Sequence, residues 1–341
     1  MRALAPRLRH IGVDAVRFDY MAWRIALALG DSAGARAVAE RLDSLSDFSR
    51  NAIAGDAQWL GERLEDAERA VAIGSARAAT APELSAALVR EHDLAMNRGL
   101  IHRAQAALRQ LPPPSTRRDL LYVRDALFSD GDPDTAEAAA ARLRPIVAAP
   151  QADTAWPGWR RAQIECTLAW WDLARGRASA AATGRERLRH ARTDAESPFN
   201  TDDVAYCGAV LDAWLATGAG RRDVRALIQR ADSINIFSTT TLWDFGNMLT
   251  APLKERAGDS AGALVSWRRV FLAAPDISDG YISTCLRETA RVGLLAGDST
   301  LARDYYRRYL GLRASADPAL RADVECVRAE LARITGEPPA R

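Results

Sequence analysis

An all-α chain of stacked helix pairs is what this sequence predicts, and three observations carry the prediction. A spaced pattern of small and bulky residues recurs eight times along the 341 residues. No alternating apolar–polar run of useful length argues for a strand; the nearest, Ser233 to Leu242, reads as a loop or one short extended piece. The composition, 48% apolar against 26% charged, is too apolar for disorder. The most apolar stretch near the start, Met21 to Leu29, is broken by Arg24 and falls well short of the roughly 20 residues a membrane span needs.

The clearest repeat windows run Gly258, Ala263, Trp267, Val270 and Gly297, Ala302, Tyr306, Tyr309, thirty-nine residues apart. In each, a small residue lies five positions after the glycine, a bulky one nine after, and an apolar or aromatic one twelve after. The same offsets recur at Gly30, Ala35, Ala39, Leu42, at Gly99, Ala104, Leu108, Leu111, and at Gly131, Ala136, Ala140, Leu143. They recur again at Gly176, Ala181, Arg185, Leu188, where Arg185 spoils the bulky position. Two copies are degenerate: Glu62, Ala67, Val71, Gly74 and Ala219, Val224, Ile228, Ala231.

A helix–turn–helix unit explains the offsets. Glycine supplies the left-handed residue that ends a first helix. The aspartate that often follows accepts from the free amides of a second helix. Positions five, nine and twelve then share one face of that second helix, where the small residue admits a neighbouring helix closely.

These residues resemble the tetratricopeptide repeat, a helix pair of about 34 residues with an A…F…P signature in its second half. Ala263, Trp267 and Pro275 stand at those three positions, and Ala302 and Tyr306 at two of them. The first-helix half, W-x-x-L-G-x-x-Y, is poorly kept, so the resemblance is to a divergent array over most of the chain. It implies a right-handed α-solenoid of about eight such pairs. The layout is also similar to the C-terminal repeat regions of some bacterial serine/threonine kinases and transcriptional activators, where the repeats sense or dock. No kinase Gly-rich loop, H-R-D or D-F-G and no DNA-reading helix accompanies it, so neither activity carries over.

The array is expected to end in a cap. Asp317-Pro318 opens a helix whose Leu320, Val324, Val327, Leu331 and Ile334 form one apolar stripe, with Arg321, Glu325, Arg328 and Glu330 off it and Gly336 closing it. The prolines divide the rest. Repeats are expected in residues 1–144, a bend or linker at 145–158 around Pro145, Pro150 and Pro157, further repeats in 159–316, and the capping helix and tail in 317–341. A smaller break falls at Leu111 to Thr116, with Pro112, Pro113 and Pro114.

Bond-making chemistry finds little footing. A net charge of +2 argues against direct nucleic-acid binding, which normally shows a basic excess. The cations are arginines except Lys254. His10, His92, His102 and His190 make no H-E-x-x-H spacing. His92 beside Asp93, with His102 nearby, could form a dyad and a ligand, but exposed helix faces are the expectation. No G-x-S-x-G elbow occurs. Gly218-Ala219-Gly220 lacks the strand and the G-K-[ST] ending of a phosphate loop, and Asp202-Asp203 fits a helix N-terminus better than a metal. Cys166, Cys207, Cys285 and Cys326 form no C-x-x-C pair and sit in helical apolar patterns, so reduced core thiols in a cytoplasmic protein are expected. Arg2, Arg7 and Arg9 precede no apolar run of signal-peptide type. No catalytic residue, cofactor, metal or membrane contact is therefore expected.

What remains is binding. First helices of such arrays line a concave groove, and this register places Arg90, Asp93, Tyr122, Asp125, Trp170, Tyr206, Arg287 and Arg291 there. Aromatic and arginine side chains are the usual anchors of protein interfaces. The asparagine- and lysine-rich carboxylate clamp of some relatives is not recognisable. Trp170→Ala is then expected to cost folding less than about 1–2 kcal/mol, against about 3–5 kcal/mol for the packing residue Trp267. The leading expectation is a non-enzymatic scaffold for a peptide or protein segment. The alternative is the ligand- or partner-sensing half of a bacterial signalling kinase or transcriptional activator, with a ligand held near Pro145 to Gly158 and the kinase or DNA-binding domain in the same or a neighbouring chain.

Overall fold

The structure is a computed structural model and describes residues 33, 34, 37, 64–78, 80–149, 157–193, 199–235, 243–270 and 279–336. Most of the Gly30 window, His10, Trp23, Trp59, Trp156, Pro150, Pro275 and the tail after Gly336 lie outside them. Among the described residues every regular element is helical: α1 (Leu64–Arg77), α2 (Ala81–Arg98), α3 (Ile101–Arg109), α4 (Thr116–Phe128), α5 (Pro133–Ala148), α6 (Gly158–Ala174) and α7 (Ala178–Arg189). There follow α8 (Thr201–Gly218), α9 (Val224–Asn235), α10 (Trp243–Arg256), α11 (Ser260–Val270), α12 (Ile282–Leu295), α13 (Ser299–Leu312) and α14 (Arg321–Thr335). Short 3-10 turns at Asp279–Tyr281 and Pro318–Leu320 precede α12 and α14.

The repeat offsets become buried positions. The small residues Ala104, Ala136, Ala181, Ala263 and Ala302 are all fully buried, and so are Leu108, Ala140, Leu111, Leu143 and Leu188. Trp267, Tyr306, Val270 and Tyr309 are buried at the same offsets. Gly99, Gly176, Gly258 and Gly297 adopt φ between 71° and 85°, the left-handed conformation a helix end requires there. Asp132, Asp259 and Asp298 accept from backbone amides at the starts of α5, α11 and α13, as N-caps do. At Arg185, the exception, the guanidinium forks onto Asp212 of α8 at 2.9 and 2.8 Å, in space left by Gly208. The charge is tolerated because it is paired.

By its contacts the chain divides into two compact units. One gathers Met1–Gln110, Phe271–Ser283 and Arg307–Arg328; the other gathers Leu111–Val270, Thr284–Tyr306 and Ala329–Arg341. In the second, α4 pairs with α5, α6 with α7, α8 with α9 and α10 with α11. Each first helix also packs on the next, α4 on α6, α6 on α8 and α8 on α10, the nearest-neighbour stacking of a repeat array.

The first unit departs from that rule. The Asp279–Tyr281 turn packs on α2, and two helix starts are capped across the sequence. Asn97 Oδ1 accepts from Ser283 N at 3.0 Å, and Arg313 Nη2 donates to Ser283 Oγ at 2.6 Å. Asp317 N donates to Gly99 O at 2.9 Å, and the Asp317 carboxylate accepts from His102 N at 3.2 Å. The Gly99 turn has no aspartate of its own, and Leu100 supplies no cap bond; Asp317 supplies it from 215 residues away. Asp317→Ala should cost about 1 kcal/mol, the usual worth of such a cap. Urea unfolding checks this, and Asp317→Asn should lose clearly less.

Four expectations need correction. Helix α5 continues through Pro145 to Ala148, because the proline lies near the helix end on an exposed position where its missing donor costs little. Ser233–Asn235 belong to α9 rather than to an extended piece, and residues 236–242 lie outside the description. Cys166 and Cys207 are joined in a disulfide between α6 and α8, Cα atoms 6.2 Å apart, because adjacent first helices bring the two side chains face to face. Of the others, Cys285 is a buried thiol but Cys326 is exposed. His92 is fully buried and His102 exposed, so only the latter sits on an exposed face. Along the apolar stripe of α14 and the turn before it, Val324 and Val327 are buried, with Leu320, Leu331 and Ile334 half-buried. No described helix is long and apolar enough to cross a membrane.

Candidate functional site

The groove reading depends on which face of the first helices meets solvent. From Ile164 to Asp172 every residue of α6 is buried, and so is every residue of α8 from Tyr206 to Leu211. A helix apolar on all sides has no solvent face to offer. Trp170 is therefore not a groove residue: it is 3% exposed and meets Phe128 edge-on, ring centroids 6.2 Å apart. Tyr206 is 0% exposed, and burial pushes its phenol well above the ordinary range. Tyr122 and Asp125 are buried as well. A register that fits the second helices cannot fix how a first helix is rotated, so it misplaces all four.

The other four remain accessible in part. Arg90 and Asp93 are half-buried on α2, where Asp93 holds His92 Nδ1 at 2.8 Å. On α12, Arg287 is half-buried and Arg291 exposed. Arg291 grips both oxygens of Glu255 at 2.9 and 2.8 Å and Glu288 at 2.7 Å. Arg90 and Asp93 belong to the first unit, Arg287 and Arg291 to the second.

A further constellation of reactive groups lies elsewhere, on α9, α10 and α11. Lys254, the single lysine, is buried on α10. Its Nζ stands 2.5 Å from Asp232 Oδ2 of α9 and donates to Ser266 Oγ of α11 at 2.8 Å. One and two turns back on α10, Thr250 donates to Gly246 O at 3.0 Å, and Gly246 lies against the Tyr206 ring. An ammonium clasped by a carboxylate is a poor nucleophile, so the group ties α9, α10 and α11 together. The signal was available: one lysine in an arginine-only chain, inside an apolar pattern.

Three buried acids of the second unit serve the same use. Asp119 is held by Arg142, Asp172 by Arg144 and Arg177, and Glu165 by Arg187, each at 2.7 or 2.8 Å. No group of three or more metal-type ligands occurs among the described residues. Gly246 carries a direct test of the packing. An added Cβ there would overlap the Tyr206 ring, which is fully enclosed. Gly246→Ala should therefore destabilise by about 1–3 kcal/mol through overpacking, despite a helix-propensity gain of about 1 kcal/mol. Tyr206→Leu in the same chain should recover much of the loss; a stabilised single variant in thermal melting would contradict the contact.

No protein-family model and no curated protein sequence matches this chain.

Proposed function

We propose that the chain is a tetratricopeptide-like, right-handed α-solenoid of about eight helix pairs that serves as a non-enzymatic docking scaffold for a peptide or protein segment. The observation that carries the reading is the destination of five buried or half-buried charges of the second unit. Asp119, Glu165, Asp172, Asp232 and Lys254 each end on a side chain of a neighbouring helix, which leaves scaffold stiffness as their purpose. Docking then falls to accessible residues: Arg287 and Arg291 in the second unit, Arg90 and Asp93 in the first. An acidic segment would displace Glu255 from Arg291, a cheap exchange for a pair whose arginine is 43% exposed.

The test is affinity capture from the native host with wild type and with the Arg287→Ala, Arg291→Ala double variant, then titration of the recovered partner. The double variant should bind at least about tenfold more weakly, with the loss shrinking as salt rises, and should melt as wild type does. An unchanged affinity would remove these arginines from the docking surface.

A further inference from the structure

Helices α4 and α6 pack side by side, and each opens with two consecutive arginines: Arg117 and Arg118 in α4, Arg160 and Arg161 in α6. This is the wrong charge for a helix start. The amides there already carry partial positive charge and favour acids, as α8 shows by opening with Asp202 and Asp203. The one acid in the first turn of α4, Asp119, is taken by Arg142.

Nothing among the described residues neutralises the four. Elsewhere in this unit Arg142, Arg144, Arg177, Arg185 and Arg187 each hold a carboxylate. Arg118 reaches only Leu111 O, at 3.4 Å. Arg161 spends Nη2 on Val147 O and Ala149 O, while its Nη1 is buried with no partner. Arg160 donates to Gln163 Oε1 at 3.0 Å and lies 4.5 Å from the centre of the half-buried Trp159 ring. Burial and the like charge of Arg117 both push its pKa down. The backbone of Arg192 presses on Gly158, where no side chain could fit, and brings a fifth arginine to the same end. Pro157, at the start of α6, provides no side-chain cap.

We propose that the N-terminal ends of α4 and α6 form a binding site for a phosphate-type oxyanion of two or more charges, held by Arg117, Arg160, Arg161 and Arg192 beside Trp159. Guanidinium forks match phosphate oxygens two at a time, and the uncapped helix end adds backbone donors. A site of this kind holds its cations together at a cost that the anion relieves. The inference is independent of the docking surface on α12 and stands or falls separately.

The full chain is titrated with inorganic pyrophosphate against sodium chloride of equal ionic strength, followed by melting temperature and tryptophan fluorescence. Pyrophosphate should raise the melting temperature where chloride does not and should perturb Trp159 emission, a change lost in Trp159→Phe. Arg160→Gln and Arg117→Gln should each weaken binding at least about tenfold, while Arg303→Gln, exposed on α13, leaves it unchanged. Without ligand Arg160→Gln should melt at or above wild type, and with pyrophosphate below it. ADP as a second probe separates a nucleotide from a bare diphosphate. Equal effects of pyrophosphate and chloride, or wild-type affinity in Arg160→Gln, would overturn the site.

Discussion

Trp170→Ala is expected to destabilise the chain by about 3–5 kcal/mol, as much as Trp267→Ala. Both indoles are 3% exposed, so each truncation removes a full aromatic side chain from an interior and leaves a cavity that close-packed neighbours fill only in part. Trp170 meets Phe128 between α4 and α6; Trp267 is buried one turn after Ala263 on α11. Trp170→Phe should lose less, because an aromatic ring still meets Phe128. Urea unfolding of the variants measures this. A loss under 1–2 kcal/mol for Trp170→Ala alone, the figure for a surface anchor, would return that indole to the solvent.

Replacing both members of the Cys166–Cys207 pair by alanine should cost about 3–4 kcal/mol on the chain-entropy account of a cross-link. The two residues are 41 positions apart in sequence, so the unfolded chain regains a long loop when the link is absent. The pair ties neighbouring first helices, so the loss should spread over α6 and α8 rather than fray one end. Both cysteines are fully buried, and reductant should act slowly on the folded chain and fast in urea. Equal denaturation midpoints with and without reductant would contradict the cross-link. So would recovery of both thiols by alkylation under denaturing, non-reducing conditions.

The second helices were the legible half of this fold. Their amphipathic period fixes one inward face, and the offsets from Gly99, Gly131, Gly176, Gly258 and Gly297 name buried residues one by one, with half-buried Arg185 the exception. The first helices were not legible in the same way. Between Ile164 and Asp172 the side chains are apolar or internally paired on every side, so periodicity carries no rotation angle, and Trp170 and Tyr206 were assigned a groove they do not line. Arg291 stays accessible because α12 keeps a charged edge. The cysteine pairing depends on the rotation of α6 and α8, which spacing alone cannot supply. The bonds from Asn97 to Ser283 and from Asp317 to His102 join segments some two hundred residues apart, and a repeat pattern read neighbour by neighbour gives no reason to expect them. Lys254 shows the opposite case, where composition marked one residue and its partners came from two neighbouring helices.

The central claim is that α6 and α8 are interior helices, enclosed by their neighbours along Ile164–Asp172 and Tyr206–Leu211. Amide hydrogen exchange read on peptides of α6, α7, α8 and α9 tests it most directly. The account predicts that amides within Ile164–Asp172 and Tyr206–Leu211 exchange last, only on global unfolding, while those of α7 and α9, with one face in water, open earlier. Exchange of α6 and α8 as fast as that of α7 and α9 would contradict it and restore an open first-helix face.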